Sequence, residues 1–284
     1  MYLWILAAVA AYFIKGLCGF ANTLVFTSIL SFGVANANIS PIDLLLGYPT
    51  NLILTWKNRK RLVPKVYLPL AALVLDKHCD LGIATDGDAD RLGVIDNEGQ
   101  FIHPNKLLVL LYYYLVKYRG WHGPCVRNNS TSHLLDRVAA GLGEKCYEVP
   151  VGFKHISAKM QETDAIIGGE SSGGLTVKGH IHGKDGIYAA ALLVEMIAVS
   201  GKRLSEIAAD IRKEYGAIHM AERDYRFTPD EKERIHNILM EERKLPEMPF
   251  ETDHVSYMDG CKAYFKNGGW VIARFSGTEP LLRI

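Results

Sequence analysis

Apolar residues fill the first quarter of the chain almost without a break, then fall into short runs separated by polar, glycine-rich loops. MYLWILAAVAAYFI carries no charge over 14 residues, and after Lys15 the positions 16–42 run for 27 residues without an ionised side chain. About 20 apolar helical residues cross a hydrocarbon core, so this run is long enough. Gly16, Gly19 and Gly33 would let neighbouring helices approach closely. Shorter apolar stretches follow at 44–56 and 66–75, with the basic block WKNRKRLVPK at 56–65 between them. Basic residues beside apolar runs mark the cytoplasmic side. The start has no positively charged n-region, which argues against a cleaved signal peptide. Residues 1–75 therefore predict a helical, membrane-associated segment with everything after it cytoplasmic.

Beyond residue 75 the period shortens. Leu81, Ile83 and Ala84 predict one strand, 92–95 a second, and 104–118 an apolar helix with Pro104 near its start. CVRNN at 125–129 predicts a strand. A helix follows it, with Thr131 or Ser132 available as cap and Gly141 or Gly143 near its end. YEVPV reads as a strand, GFKHISAKMQE as the next helix, and DAIIGG as a strand entering a glycine-rich turn. Helices are expected over 185–199, starting at Asp185, and over 204–215. Strands alternating with helices predict a three-layer α/β domain over 104–215. Residues 222–284 predict a smaller α+β domain: a strand at 223–227, a helix at 229–242 capped by Thr228, and short strands turning at Asp259-Gly260.

Charge divides the chain at the same place. Residues 1–75 hold six basic side chains and one acid, a net of +5; the remaining 26 basic and 30 acidic residues give −4. The overall +1 argues against electrostatic nucleic-acid binding. Five cysteines, widely spaced, are too few for a disulfide scaffold.

The chemistry lies in the loops. In TDGDADR, Asp86, Asp88 and Asp90 alternate on a turn between two apolar strands. Such carboxylates can converge on one hard cation, and oxygen-only ligands suit Mg²⁺. GGESSGG places Glu170 and Ser172 where they can exchange hydrogen bonds with sugar hydroxyls. Lys154, His155, Lys178, His180 and Lys184 can contact phosphate or shuttle protons. In RFSGTEP, Arg274 can grip an oxyanion as a fork, while Ser276, Gly277 and Thr278 offer hydroxyl and backbone donors.

TDGDADR at 85–91, VGFKHI at 151–156, the 168–196 stretch containing GGESSGGLTVKGHIHGKDG, and RFSGTEPLLR at 274–283 together resemble the α-D-phosphohexomutase superfamily, the phosphoglucomutases and phosphomannomutases. The resemblance covers about 76–284. It implies a remnant of the family's domain 2 with the metal loop at 76–103, a sugar-binding domain 3 at 104–221 and a truncated phosphate-binding domain 4 at 222–284. It implies Mg²⁺ on Asp86, Asp88 and Asp90, and catalytic roles for Arg91, Lys154, His155 and Lys184. Glu170 and Ser172 would bind the sugar, and Arg274, Ser276, Gly277 and Thr278 the non-reacting phosphate of a hexose phosphate. Members move a phosphoryl group between the C1 and C6 hydroxyls through a phosphoserine in domain 1. That serine loop is not found ahead of the metal motif, so weak or absent turnover, or a non-catalytic sugar-phosphate-binding remnant, is expected.

GLCGFANTLVFTSILSFG at 16–33 and PTNLILTWKNRK at 49–60 resemble the first repeat of the TauE/SafE-type sulfite or sulfonate exporters. That resemblance implies a membrane segment, with a permease fragment as the alternative function.

Overall fold

The computed structural model describes residues 64–277 and 280–284. The chain divides into two compact units, Met1–Pro69 and Leu70–Ile284. The first described element, α1 (Pro64–Lys77), has 14 residues and contains Pro69. At 1.5 Å per residue it is roughly 21 Å long, short of the hydrocarbon thickness. No helix among the described residues is long and apolar enough to cross a membrane. The part of the expected membrane segment that falls on described residues, 64–75, thus lies in a helix too short to span, which corrects that expectation and leaves the membrane association and membrane-based location without support. The exporter-like stretches at 16–33 and 49–60 themselves lie outside the described residues.

Strands β1 (Leu81–Thr85), β2 (Leu92–Asp96) and β3 (Phe101–Ile102) form an antiparallel sheet, with Thr85 paired to Leu92 across the TDGDADR loop. Gly82 on β1 has no room for a side chain. A Cβ there would lie 2.6 Å from Val74 and 3.0 Å from Leu70 of α1.

Helix α2 (Pro104–Lys117) follows, with Pro104 at its first turn and the His103 ring accepting from Asn105 N–H. Its residues from Leu107 to Leu115 are all buried. A helix apolar on every side must be enclosed; α3 (Leu134–Gly141), α5 (Gly186–Ser200) and α6 (Leu204–Tyr215) surround it. The sheet beneath has the order β5-β4-β6-β7. Strands β4 (Cys125–Asn128), β5 (Cys146–Val149) and β6 (Ile167–Gly169) are parallel, and β7 (Leu175–Val177) turns back against β6. Helix α4 (Phe153–Thr163) covers the opposite face through Ile156 and Met160, completing three layers.

Gly168 and Gly169 on β6 let both faces close. A Cβ at Gly168 would lie 2.5 Å from Ile156 and Met160, and one at Gly169 would lie 2.8 Å from Leu108 of α2. At the start of α3 the cap is His133; Ser132 Oγ accepts from Leu134 N–H, while Thr131 bonds Asn128 instead.

The C-terminal portion is an antiparallel sheet, β8-β12-β11-β10-β9, built from Asp224–Arg226, Leu281–Arg283, Trp270–Phe275, Cys261–Phe265 and Thr252–Ser256 respectively. Thr228 caps α7 (Pro229–His236) in a capping box with Glu231, but the helix stops at His236 and runs into a π-type turn, Asn237–Glu241. The four described cysteines are free thiols.

A buried charge network ties this sheet to the three-layer domain. Lys262 on β10 is 1% exposed. Its Nζ donates to Glu148 Oε2 at 2.9 Å and to Asn129 O at 2.7 Å, and lies 3.0 Å from His133 Nε2. Arg127 Nη1 donates to the same Glu148 oxygen at 2.5 Å and grips Asp136 with Nε and Nη2 at 2.6 and 2.8 Å. Tyr264 OH also donates to Glu148. Burial alone would raise the Glu148 carboxyl, but His133, Arg127, Tyr264 and Lys262 outweigh it and hold the group well below its ordinary value near 4.5.

Removing that carboxylate leaves two cations buried without their shared partner. Glu148→Gln should cost about 3–5 kcal/mol in urea unfolding. A carboxyl lowered on folding stabilises the protein above its unfolded value, and that contribution is lost as pH falls further. The wild-type unfolding free energy should therefore drop below about pH 4.5, and the Gln variant should lack that part of the slope.

Candidate active site

The carboxyl ends of the parallel strands face one cavity of about 810 Å³. Ligands bind there in open α/β sheets because the loops leaving the strands spread around a common crevice. The end of β4 contributes Asn128 and the loop after it Ser130, the turn after β5 contributes Val151, and the turn after β6 contributes Glu170 and Ser172. Arg91 enters from the TDGDADR loop, while Trp270, Arg274 and Arg283 come from the C-terminal sheet.

Glu170 is shaped by its turn. Its N–H donates to Gly174 O at 2.9 Å, and Gly173 N–H donates back to Glu170 O at 3.1 Å. Gly173 sits at φ +98°, where a side chain would be strained and would approach Leu92 O at 3.0 Å. The largely buried carboxylate accepts from Gly152 N–H at 3.3 Å and from Ser172 Oγ at 3.3 Å. Both of its oxygens are aimed while lone pairs remain for a ligand hydroxyl. Lys154 and His155 lie in the first turn of α4; Lys154 is exposed and His155 half-buried, and neither lines the cavity.

Asp86, Asp88 and Asp90 bring one carboxylate oxygen each to within 4.8 Å of one another. Ala89 turns the loop at φ +59°, and its N–H donates to Asp86 O at 3.1 Å. The loop rests on the N-terminus of α5. Gly186 N–H donates to Ala89 O at 2.9 Å, and a Cβ at Gly186 would lie 2.8 Å from Arg91 O. Asp185 caps that helix, accepting from Tyr188 N–H at 2.9 Å and pairing with His180 at 2.8 Å.

Burial, with the neighbouring Asp88 and Asp90 charges, raises the Asp86 carboxyl against the pull of Arg91. Burial opposes ionisation of Asp90 too, but Lys184 and Arg91 outweigh it and lower that group. Lys184 is ion-paired to Asp90, and Arg91 Nε lies 3.5 Å from Asp86 and 3.6 Å from Asp90. Asp90 Oδ1 is buried without a hydrogen-bond partner. An all-oxygen set with an orphaned, inward carboxylate oxygen fits a hard divalent cation.

On the opposite flank, Arg274 Nε donates to Asp259 Oδ2 at 2.8 Å, leaving both Nη groups for an oxyanion. Ser276 N–H closes the adjoining turn onto Leu281 O at 2.8 Å. Space beside Gly277 is open, and Thr278 lies outside the described residues. Of the sequence-derived site residues, the cavity therefore gathers Arg91, Glu170, Ser172 and Arg274. Lys184 belongs with the acidic loop, and Lys154, His155, Ser276 and Gly277 stand outside the lining. Asn128, Ser130, Arg137 and His219 line it without having been singled out. The polar run NNS immediately after a buried parallel strand was the available signal for the first two.

Comparison with known proteins bears on this arrangement. Residues 103–215 match the family described as phosphoglucomutase/phosphomannomutase, alpha/beta/alpha domain III. Over 206 residues the chain is 34% identical to a phosphoglucomutase/phosphomannomutase of Thermococcus kodakarensis, covering 72% of this chain and 42% of that protein. Over 220 residues it is 29% identical to a phosphoglucosamine mutase of Listeria monocytogenes, covering 76% and 44%. A crystal structure of a phosphoglucomutase/phosphomannomutase family protein from Burkholderia thailandensis superposes with a TM-score of 0.62 at 26% identity, over 78% of this chain and 45% of that one. The chain spans less than half the length of these relatives. These matches are all to phosphohexomutases, and the exporter resemblance assigned to 1–75 is withdrawn. At family level, and across part of that family's length, the chain resembles the phosphohexomutases.

Proposed function

We propose that this chain carries the sugar-phosphate site of a phosphohexose mutase, the intramolecular phosphotransferase class that exchanges hexose 1-phosphate and 6-phosphate, and that by itself it binds hexose phosphate with weak or no turnover. The supporting observation is the convergence of Glu170, Ser172, Arg91 and Arg274 on one cavity at the carboxyl ends of β4 and β6. In this reading 76–103 is the end of the family's domain 2, 104–221 its domain 3 and 222–284 its domain 4. Glucose and mannose phosphates are the first substrates to test, and a relative named phosphoglucosamine mutase adds glucosamine phosphate.

The roles follow from the side chains. The Arg274 guanidinium takes two oxygens of the distal phosphate as a fork, with Ser276, Gly277 and Thr278 following it in sequence as further candidate phosphate binders. Glu170 and Ser172 hold sugar hydroxyls. Arg91 in the cavity lining and Lys184 at the acidic loop place positive charge around the reacting end, where phosphoryl oxygens carry negative charge, while Lys154 and His155 stand outside the lining. Asp86, Asp88 and Asp90 would hold Mg²⁺, which when bound neutralises charge on the transferring group.

Titration calorimetry on the full chain tests the binding claim. Glucose 6-phosphate should bind weakly. Arg274→Ala should weaken it by about tenfold or more, as expected for loss of a charged hydrogen-bond pair. Asp88→Ala should cost less than about threefold, since the phosphate is held at the other flank. Equal binding by wild type and Arg274→Ala would reject the clamp.

A coupled assay with glucose 1-phosphate, glucose 1,6-bisphosphate and Mg²⁺ should show little or no product. Turnover comparable to a complete mutase would overturn the expectation of weak activity.

A further inference from the structure

We infer that Asp259 is a positioning residue that fixes the separation between the Arg274 guanidinium and the Glu170 carboxylate, so that the site selects hexose monophosphates by length. The inference rests on the hexose-phosphate reading above.

Asp259 lies in the turn between β9 and β10. A single oxygen, Oδ2, accepts from Arg274 Nε at 2.8 Å and from Val151 N–H at 2.8 Å. The next amide, Gly152 N–H, donates to Glu170 Oε1 at 3.3 Å. Two successive backbone N–H groups therefore hold two carboxylates, one belonging to each flank of the cavity. These amides lie at the entry to α4, with Gly152 as its N-cap, where unpaired N–H groups and the helix dipole favour negative charge.

The turn itself has little freedom. Asp259 O accepts from Asn129 Nδ2 at 3.0 Å, a second tie to the loop after β4. Gly260 sits at φ +88°, and a Cβ there would lie 2.6 Å from Ala273 O, so the main chain passes close against β11. Phosphate bound by the free Nη groups of Arg274 and hydroxyls bound by Glu170 are thus gauged from the same dipeptide, Val151-Gly152. Inorganic phosphate needs Arg274 alone. A hexose phosphate needs both ends at a set distance, and gains from their prior alignment.

The test compares two ligands on the full chain by calorimetry, with a melting curve for each variant. Asp259→Ala should weaken glucose 6-phosphate by about tenfold and inorganic phosphate by less than about threefold. Asp259→Asn, whose Oδ1 can accept both hydrogen bonds, should stay within about threefold of wild type for glucose 6-phosphate. If the Ala variant does not fold, Asp259→Ser, too short to reach both donors, takes its place in the same comparison.

Equal losses for the two ligands would overturn the inference, because Asp259 would then serve Arg274 alone. Unchanged glucose 6-phosphate binding in Asp259→Ala, or no rescue by Asn, would overturn it as well. A wild-type chain that binds no hexose phosphate would bring down the functional reading; a wild type that binds while Asp259→Ala binds equally would bring down this inference only.

Discussion

Lys262, Glu148 and Arg127 meet where solvent is almost excluded, and the relation between the two halves of the cavity depends on that meeting. Burial and the nearby Arg127 push the Lys262 ammonium down to about 8. Glu148 opposes that shift, and the Tyr264 and Trp270 rings stand 4.7 and 4.3 Å from the amine. Such a group is costly to desolvate and strongly directional once paired. An apolar contact between β10 and the β4–β5 edge would tolerate sliding. A lysine that must reach Asn129 O and Glu148 together does not. Because β10 is fixed, β11 beside it is fixed, and Arg274 on β11 faces the turns that carry Glu170.

The acidic loop obeys a different constraint. Three carboxylates within 4.8 Å repel one another, and burial works against the charges on Asp86 and Asp90. Arg91, Lys184 and the N-terminus of α5 supply the compensating field, and Gly186 lets the loop approach that helix end closely. These same elements pass from the acidic loop to the cavity: Arg91 reaches its lining, and a Cβ at Gly174 would lie 2.2 Å from Lys184. Charge at the acidic loop and the shape of the Glu170 turn are therefore mechanically linked through packing.

How much of this was legible in the sequence depends on how local the cause is. The hairpin around TDGDADR, the enclosed helix α2, the Thr228 cap and the Asp259-Gly260 turn each leave a signature within a few residues. Their places match the pattern closely. The helix expected over 229–242 is present as α7 continued by a π-type turn through Glu241, and neither part contains a fully buried residue. Lys262 is invisible in sequence, since its partners Asn129 and Glu148 lie 133 and 114 positions away. Asp259 reads as a turn former, while its bonds to Val151 and Arg274 appear only once the strands are assembled. Hydrophobicity misled over 66–75: the apolar run there reads as membrane material, but α1 packs Leu70 and Val74 against Gly82 of a sheet.

The site's division of labour follows from where rigid backbone is available. The parallel strands end in turns whose amides are spoken for: Gly152 N–H by Glu170, Val151 N–H by Asp259, Glu170 N–H by Gly174. Backbone donors consumed in this way cannot also bind an anion, whereas Arg274 from the neighbouring sheet has both Nη groups to offer. An arginine on a neighbouring sheet is useful only if its approach is fixed, because a free guanidinium would lose much of its gain to side-chain ordering. The carboxylate of Asp259 removes that freedom before ligand arrives. On the proposed reading, recognition of a phosphate end is in this way preorganised by a group that need not touch the ligand.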